Sequence, residues 1–228
     1  MKAFKIISLA ALCVSALPAQ SYEKDAYRLI RMDKIHDVST NRNQVGFGID
    51  PAFDFSTSGG GFSHSEGGLA FHITGGRRLG RYAFFEGQIA RADHDDEGKT
   101  SRLRGRIGLN GWAGGQSTEL YAAIAYDSIE TETSTLPRVD LSGAVLDVGI
   151  RSNLTDRLIG EIYYSHGLTW EDPSKQDLDL AGLSGEVTYK AGATTAFAIK
   201  AELVETDYPG PGSLEHKFIS LSYRFLFD

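Results

Sequence analysis

The C-terminal stretch HKFISLSYRFLFD (216–228) decides the fold class. Odd-numbered positions from Ile219 to Phe227 are apolar, and polar side chains alternate with them except at Leu226. Alternation with a period of two is typical of a β-strand that has one apolar and one polar face. The apolar face of such a strand could contact either the core of a soluble protein or the acyl chains of a membrane.

The same period recurs along the chain from residue 44 onward. Ten segments alternate in this way. They run for about ten residues or more, which suits a strand tilted across a bilayer better than a strand of a soluble sandwich. Because the chain has no apolar run long enough for a membrane-spanning helix, it could cross a membrane only with strands. The sequence therefore predicts an all-β protein, a transmembrane up-and-down antiparallel β-barrel of ten strands, with eight strands as the alternative.

The connections between the segments alternate in length. Short ones, such as RLGR and SNLTD, alternate with long polar ones, such as STSGGGFSHSE and DHDDEGKT. Such sorting is expected when the tight turns lie on one side of a membrane and the long loops lie on the other. An even number of strands then places both termini on the side of the short turns, the periplasm.

Proline interrupts the first segment at Pro51. Because proline has no N–H to donate to a strand ladder, it predicts either a β-bulge or a shorter first strand. The predicted apolar face of this segment comprises Val45, Phe47, Ile49, Phe53 and Phe55.

Aromatic residues near the ends of the segments predict girdles at the two membrane interfaces. In the seventh segment this assignment places Trp170 on the outward face, in line with Leu158, Ile162 and Leu168. The predicted girdle residues are Tyr126, Tyr164, Trp170, Tyr189, Tyr223 and Phe227.

The N-terminal stretch MKAFKIISLAALCVSALPAQ (1–20) has the three-part layout of a secretory signal peptide, with cleavage after Ala19. Leu12 precedes the only cysteine, Cys13, and does not fit a lipoprotein signal. The predicted organisation is a signal peptide over 1–19, a periplasmic lead-in over 20–43 and an outer-membrane barrel over 44–228. The lead-in could be an extra strand, a short helix or an inward plug.

The polar faces of the segments carry charges of both signs. Arg102, Arg104 and Arg106 lie on one strand face, about 7 Å apart. They could form an anion-attracting ring in a pore, or a ladder of paired charges that fills a closed lumen. The near balance of acids and bases favours the ladder, because buried charges persist only when they are paired. The predicted lumen-lining residues are Glu86, Arg102, Arg104, Arg106, Glu119, Tyr121, Asp127, Asp147, Arg151, Glu161, Tyr163, Glu186, Lys200, Glu202 and Arg224.

The order of the segments also predicts particular contacts in the lumen. If the fourth and fifth segments form a hairpin around AGGQS, Asp127 falls near Arg102 or Arg104. The same hairpin brings Glu119 near Asn110. Glu86, on the third segment, lies within diagonal reach of Arg106.

We predict no catalytic residue, no cofactor and no metal site. Ser165 and His166 are neighbours on a strand, so their side chains point to opposite faces and cannot form a nucleophile–base pair. The SHSE stretch (63–66) lies in a predicted glycine-rich loop, which would hold a catalytic geometry poorly. The acidic loops match no calcium-binding pattern. The formal net charge of −7 argues against nucleic acid as a partner.

With its signal peptide, its alternating loop lengths and its aromatic last strand, the chain resembles the small outer-membrane barrels of Gram-negative bacteria, of the opacity-protein and OmpA-like type. The alternation places Leu221, Tyr223, Phe225 and Phe227 against lipid. The resemblance implies that they form the signal read by the outer-membrane assembly machinery, although Asp228 follows Phe227 here. Outer-membrane lipid and lipopolysaccharide are the other expected partners.

The function expected from this resemblance is a structural or surface-interaction role in the bacterial outer membrane, with the lumen filled by the charge ladder. A narrow porin-like channel for small solutes is the alternative. A lipid A-modifying enzyme, or another enzyme built on a barrel, is the third and least favoured hypothesis. The oligomeric state, any transported solute and any surface ligand stay open.

Overall fold

The computed structural model describes residues 42–59, 62–94, 98–113, 117–132, 138–172, 174, 176–209 and 212–227. The side chains of Phe53, Phe55, Gly59 and residues 62–66 are not among those described. The predicted signal peptide lies outside the described residues, as does the predicted lead-in apart from residues 42 and 43. Within the described part of the chain, no helix is long and apolar enough to cross a membrane.

Ten antiparallel strands form one closed barrel. Each strand pairs with the next along the chain, and the last pairs with the first. The predicted up-and-down barrel of ten strands is confirmed, and the alternative of eight strands is wrong. The strands are β1 (Gln44–Gly59), β2 (Phe62–Leu79), β3 (Ala83–His94), β4 (Lys99–Ala113), β5 (Thr118–Glu132), β6 (Val139–Asn153), β7 (Leu158–Glu171), β8 (Asp179–Lys190), β9 (Thr195–Asp207) and β10 (Ser213–Leu226).

The connections fall at two ends of the barrel. We call the turn end the one with connections 80–82, 114–117, 154–157 and 191–194, and the loop end the one with 60–61, 95–98, 133–138, 172–178 and 208–212. At the loop end the strands reach further than predicted. The predicted first loop, STSGGGFSHSE, is mostly strand, because Ser58 stays in register with Ser63 on one side and Ser213 on the other.

The outer surface of the barrel is apolar along the strands. Exposed large side chains include Phe47, Phe71, Ile73, Ile89, Leu103, Ile107, Leu109, Ile124, Val148 and Ile199. A contiguous exposed apolar surface of this kind is unusual for a monomeric soluble protein and is typical of a membrane barrel. Where β10 closes on β1, Tyr223 packs against Phe47, Phe197 and Phe225 at ring-centroid distances of 5.8, 5.2 and 4.9 Å.

The first strand contains the irregularity that Pro51 predicts. Its register with β10 and β2 shifts around that residue, so the predicted β-bulge is confirmed. Beyond the bulge, Phe53 stands opposite Phe218 in the ladder. The side chains of Phe53 and Phe55 are not among those described, so their predicted outward orientation stays a prediction.

A second bulge, in β7, was not predicted and changes the position of Trp170. Val145 pairs with Gly167 but Ala144 pairs with Thr169, so β7 holds one extra residue here. A side chain on Gly143 would collide with the Thr169 carbonyl oxygen, which explains the glycine opposite the bulge. The extra residue reverses the alternation, and Trp170 is only 1% exposed. Its predicted outward position and its role in an interfacial girdle are therefore wrong.

Candidate functional site

The interior of the barrel is the candidate functional site. Its strands place the predicted lumen residues on the inward face, where most are buried and Glu86, Glu186 and Lys200 are partly exposed. These residues are Glu86, Arg102, Arg104, Arg106, Glu119, Tyr121, Asp127, Asp147, Arg151, Glu161, Tyr163, Glu186, Lys200, Glu202 and Arg224. On the outer surface, Leu221, Phe225 and Phe227 are exposed and Tyr223 is partly exposed.

Asp127 is the centre of the charge network nearer the loop end. Its carboxylate accepts hydrogen bonds from Arg102 Nε (3.0 Å) and Nη2 (2.7 Å), and a further one from Arg104 Nη1 (2.5 Å). Arg102 Nη2 also donates to Glu202 (2.7 Å), and Arg104 Nη2 donates to Asp147 (2.6 Å). The predicted contact of Asp127 with Arg102 or Arg104 is made with both. Such shared, bidentate guanidinium–carboxylate contacts fix the geometry of both partners.

A second network lies nearer the turn end. Arg106 Nε donates to Glu86 (2.7 Å), as predicted, and Arg106 Nη2 donates to Glu161 (2.9 Å). The hydroxyl of Tyr121 donates to the same Glu161 carboxylate (2.5 Å). A side chain on Gly149 would press on the Tyr121 hydroxyl (2.6 Å), so the glycine leaves room for this ring.

The charges joined in these contacts balance. In the described part of the chain, the interior ion pairs connect seven cationic groups with seven carboxylates. The cations are Arg42, Arg102, Arg104, Arg106, Arg151, Lys200 and Arg224, and the carboxylates are Glu86, Glu119, Asp127, Asp147, Glu161, Glu186 and Glu202. His72 adds a hydrogen bond to Asp50 (2.8 Å). The arginine row is thus part of a paired ladder.

Arg42 enters the interior from the residues just before β1, and the sequence interpretation missed it. Its side chain is 1% exposed. The guanidinium carbon lies 3.5 Å from the centre of the Phe84 ring and 4.8 Å from that of Tyr121. Arg42 Nε donates to Glu119 (2.8 Å), and Arg42 Nη1 contacts Glu86. The predicted neighbour of Glu119 was Asn110, but its ion-pair partner is Arg42.

An apolar layer crosses the interior nearer the loop end, and it too was not predicted. Trp170 is the largest side chain of this layer, and its indole N–H donates to Thr206 (3.2 Å). We define the apolar layer by its buried residues Ala70, Ala92, Ala125, Ile129, Leu141, Val145, Trp170, Leu178, Leu180, Val204, Leu214 and Phe218. Side chains of this size leave little room for water beside the strands.

A cavity of about 70 Å³ lies among the charged side chains. Its walls include Arg104, Arg106, Arg151, Glu161 and Glu186. A second space of about 10 Å³ lies beside Phe218, Asp50 and Arg102. The first has room for several water molecules, and the second has room for about one.

Ser165 and His166, the described pair considered for catalysis, do not come together. Ser165 is buried and donates a hydrogen bond to Asp147 (2.7 Å), whereas His166 is exposed on the other face, so their predicted separation is confirmed. The side chains of the SHSE stretch (63–66) lie outside those described. Among the described residues, no group of three or more His, Cys, Asp or Glu side chains could hold a metal ion.

Charged side chains order connections at both ends of the barrel, an aspartate at the loop end and arginines at the turn end. In the β7–β8 connection, hydrogen bonds from the Ser174 hydroxyl (2.6 Å) and from the backbone N–H of Gln176 (3.0 Å) keep the pKa of Asp172 below its usual range. At the turn end, Arg78 donates to the Gly80 carbonyl (2.7 Å), and the Arg81 guanidinium lies over Tyr82. Both groups order the connections that hold them.

No family model matches the sequence, and no curated protein matches it either. Among solved structures, the chain is similar to Neisserial surface protein A, with 12% identity over 80% of this chain and 97% of that one, at a TM-score of 0.38. It is also similar to the translocator domain of the autotransporter NalP from Neisseria meningitidis, with 12% identity over 88% and 96% of the two chains, at a TM-score of 0.40. An outer membrane channel from Pseudomonas putida F1 matches with 10% identity over 81% and 94%, at a TM-score of 0.45.

The closed ring of ten antiparallel strands and its apolar outer surface define the class of this protein as a transmembrane-type antiparallel β-barrel. This class agrees with the architecture predicted from the sequence. At these identities and TM-scores the similar structures add nothing to that conclusion. What this particular barrel does has to be argued from its own residues.

Proposed function

We propose that the protein is an integral barrel of a bacterial outer membrane with a structural or surface-interaction role and a lumen that does not conduct solutes. The apolar outer surface supports the membrane location, since only such a surface is stable against acyl chains. Outer-membrane lipid and lipopolysaccharide are the partners proposed for it. The assembly machinery is the partner proposed for the C-terminal strand, whose Leu221 and Phe225 are exposed on that surface.

The observation that carries the proposal is the apolar layer stacked on the paired charges. A conducting pore needs a hydrated path in which ions bind weakly enough to leave. Along this interior, the arginines that could attract anions are bound to carboxylates at hydrogen-bond distance, as Arg102 is to Asp127. Beyond them, Trp170, Leu141 and Leu214 are each 1% exposed. An ion would have to displace both barriers.

The proposed role is not enzymatic, and the surroundings of Ser165 support this part of the proposal. The interior hydroxyl that the sequence considered, that of Ser165, is hydrogen-bonded to a carboxylate that also binds Arg104. A nucleophilic serine needs a neighbouring base, and the adjacent His166 lies on the opposite face. We place the proposed interactions on the surface of the barrel, above all at the connections of the loop end.

We expect no discrete unitary currents when the folded protein is inserted into planar bilayers, because the charge ladder and the apolar layer block the lumen. Insertion is checked by the heat-dependent gel shift of the folded barrel, and a general porin serves as the positive control for the membrane. Reproducible single-channel steps from verified, folded protein would refute the closed lumen and favour the narrow channel.

A further inference from the structure

We propose that the cavity among the charged side chains is a binding site for one small oxyanion, of the size of inorganic phosphate or a carboxylate, with Arg151 as its principal ligand. This site goes beyond the closed lumen proposed above and does not depend on it. A barrel can retain an ion in its interior whether or not it conducts.

Arg151 is the least well paired of the interior arginines. Arg151 is only 1% exposed. The carboxylate oxygens nearest to its Nη1 are Glu161 Oε2 at 3.6 Å and Glu86 Oε1 at 3.7 Å. Both distances exceed the range of about 2.7–3.2 Å expected for a hydrogen bond. Within the described part of the chain, its Nε has no hydrogen-bond partner. A buried guanidinium with open donors is costly unless another acceptor binds it.

The other interior arginines contrast with Arg151. Arg104 donates to Asp147 at 2.6 Å, and Arg106 donates to Glu161 at 2.9 Å. Arg224 binds Glu186 with two hydrogen bonds of 2.6 Å. Glu161 accepts its hydrogen bonds at Oε1, and its Oε2 stays 3.6 Å from Arg151. The donors of Arg151 are therefore available to an acceptor that does not belong to these pairs.

The cavity beside Arg151 has a surplus of positive charge. Its lining has five cationic side chains but only three carboxylates. The cations are Arg104, Arg106, Arg151, Lys200 and Arg224, and the carboxylates are Glu86, Glu161 and Glu186. Arg104 and Lys200 are bound to carboxylates that do not line the cavity, namely Asp127, Asp147 and Glu202. An anion in the cavity would therefore be attracted mainly by Arg151, the least neutralised of the five cations.

The dimensions and the neutral groups of the cavity also suit an oxyanion. A space of about 70 Å³ has room for several waters, and hence for an anion with a few oxygen atoms. Gln88, Thr74 and Ser220 bring amide and hydroxyl groups to the same walls. The planar fork of a guanidinium can donate two parallel hydrogen bonds to two oxygens of a carboxylate or phosphate. A spherical halide has no such pair of acceptor atoms.

Equilibrium dialysis with radiolabelled inorganic phosphate tests the site. The full chain is refolded in detergent with the label present, so that slow entry does not hide binding, and the ionic strength is kept constant with chloride. We expect saturable binding of one phosphate per barrel, with acetate as a competitor and chloride as a much weaker one. In Arg151→Gln, binding should weaken on the order of tenfold or more, because a charge-assisted contact is lost.

Matched variants separate this site from other basic surfaces. Arg138→Gln removes an exposed arginine that pairs with Glu130 (2.8 Å) at the loop end, and it should bind phosphate like the parent. Gln88→Leu removes an amide from the cavity with little change in size, and it gives a second measurement if Arg151→Gln does not fold. Absence of saturable binding to the parent would overturn the proposal, since the cavity would then hold water only. Unchanged affinity in the folded cavity variants would also overturn it.

Discussion

The Arg42→Ala variant is expected to lose about 3–5 kcal/mol of its free energy of unfolding, the range found when one partner of a buried ion pair is removed. The substitution leaves Glu119, which is 0% exposed, without its ion-pair partner. It also removes the guanidinium that lies 3.5 Å from the Phe84 ring centre. Denaturant unfolding of the barrel in detergent or lipid vesicles, followed by circular dichroism, measures the loss.

A double variant shows whether the orphaned charge causes this loss. In Arg42→Met combined with Glu119→Gln, no carboxylate is left buried without a partner, since Glu86 keeps Arg106 (2.7 Å). Replacing a buried ion pair by groups of similar volume is often nearly neutral, so most of the lost free energy should return. If Arg42→Ala unfolds like the parent, or if the double variant is less stable than the single one, the pairing of Arg42 with Glu119 does not stabilise the barrel in this way.

The Trp170→Ala variant is expected to lose a similar amount, about 3–5 kcal/mol, the usual cost of deleting a buried aromatic side chain. Trp170 is the largest member of the apolar layer, and its removal would leave a cavity among Ile129, Leu141 and their neighbours. It would also remove the hydrogen bond that the Thr206 hydroxyl accepts from the indole N–H (3.2 Å). Chemical denaturation at equilibrium gives the difference.

The other tryptophan gives a matched control. Trp112 is partly exposed at the turn end, where the Arg78 guanidinium lies 5.8 Å from its ring. Because part of its ring contacts water, Trp112→Ala should cost less than Trp170→Ala. An unaffected Trp170→Ala, or a smaller loss than in Trp112→Ala, would contradict the inward position of Trp170.

The fold could be predicted from the sequence because its signal is repeated in every strand. One face of each segment contacts an apolar surrounding, so a period of two persists even where single residues deviate, as at Leu226. The ladder was predictable for the same reason. Once β4 and β5 form a hairpin, their register fixes Arg104 opposite Asp127.

The sequence predicted less where the regular period breaks or where a residue lies outside the strands. The extra residue in β7 reverses the alternation before Trp170, and nothing in the local sequence marks it except Gly143 on the neighbouring strand. The apolar layer occupies inward positions such as Ile129 and Leu214. Because the prediction assigned apolar residues to the outward face, it could not identify an apolar layer on the inward face. Arg42 was missed because it precedes β1. It lies two residues before the inward Gln44, and this spacing could have indicated that its side chain also points inward.

Quenching of tryptophan fluorescence by lipids brominated on their acyl chains tests most directly whether the outer face of this barrel contacts the membrane. In a Trp112→Phe and Trp170→Phe background, the probes Ile107→Trp and Ile124→Trp replace side chains that are 57% and 48% exposed. The probes Tyr121→Trp and Phe218→Trp replace inward side chains that are 4% and 5% exposed. We predict strong quenching of the first pair and little quenching of the second. Equal quenching in both pairs, or no quenching of the outward pair in folded protein, would contradict a barrel whose apolar exterior lies in lipid.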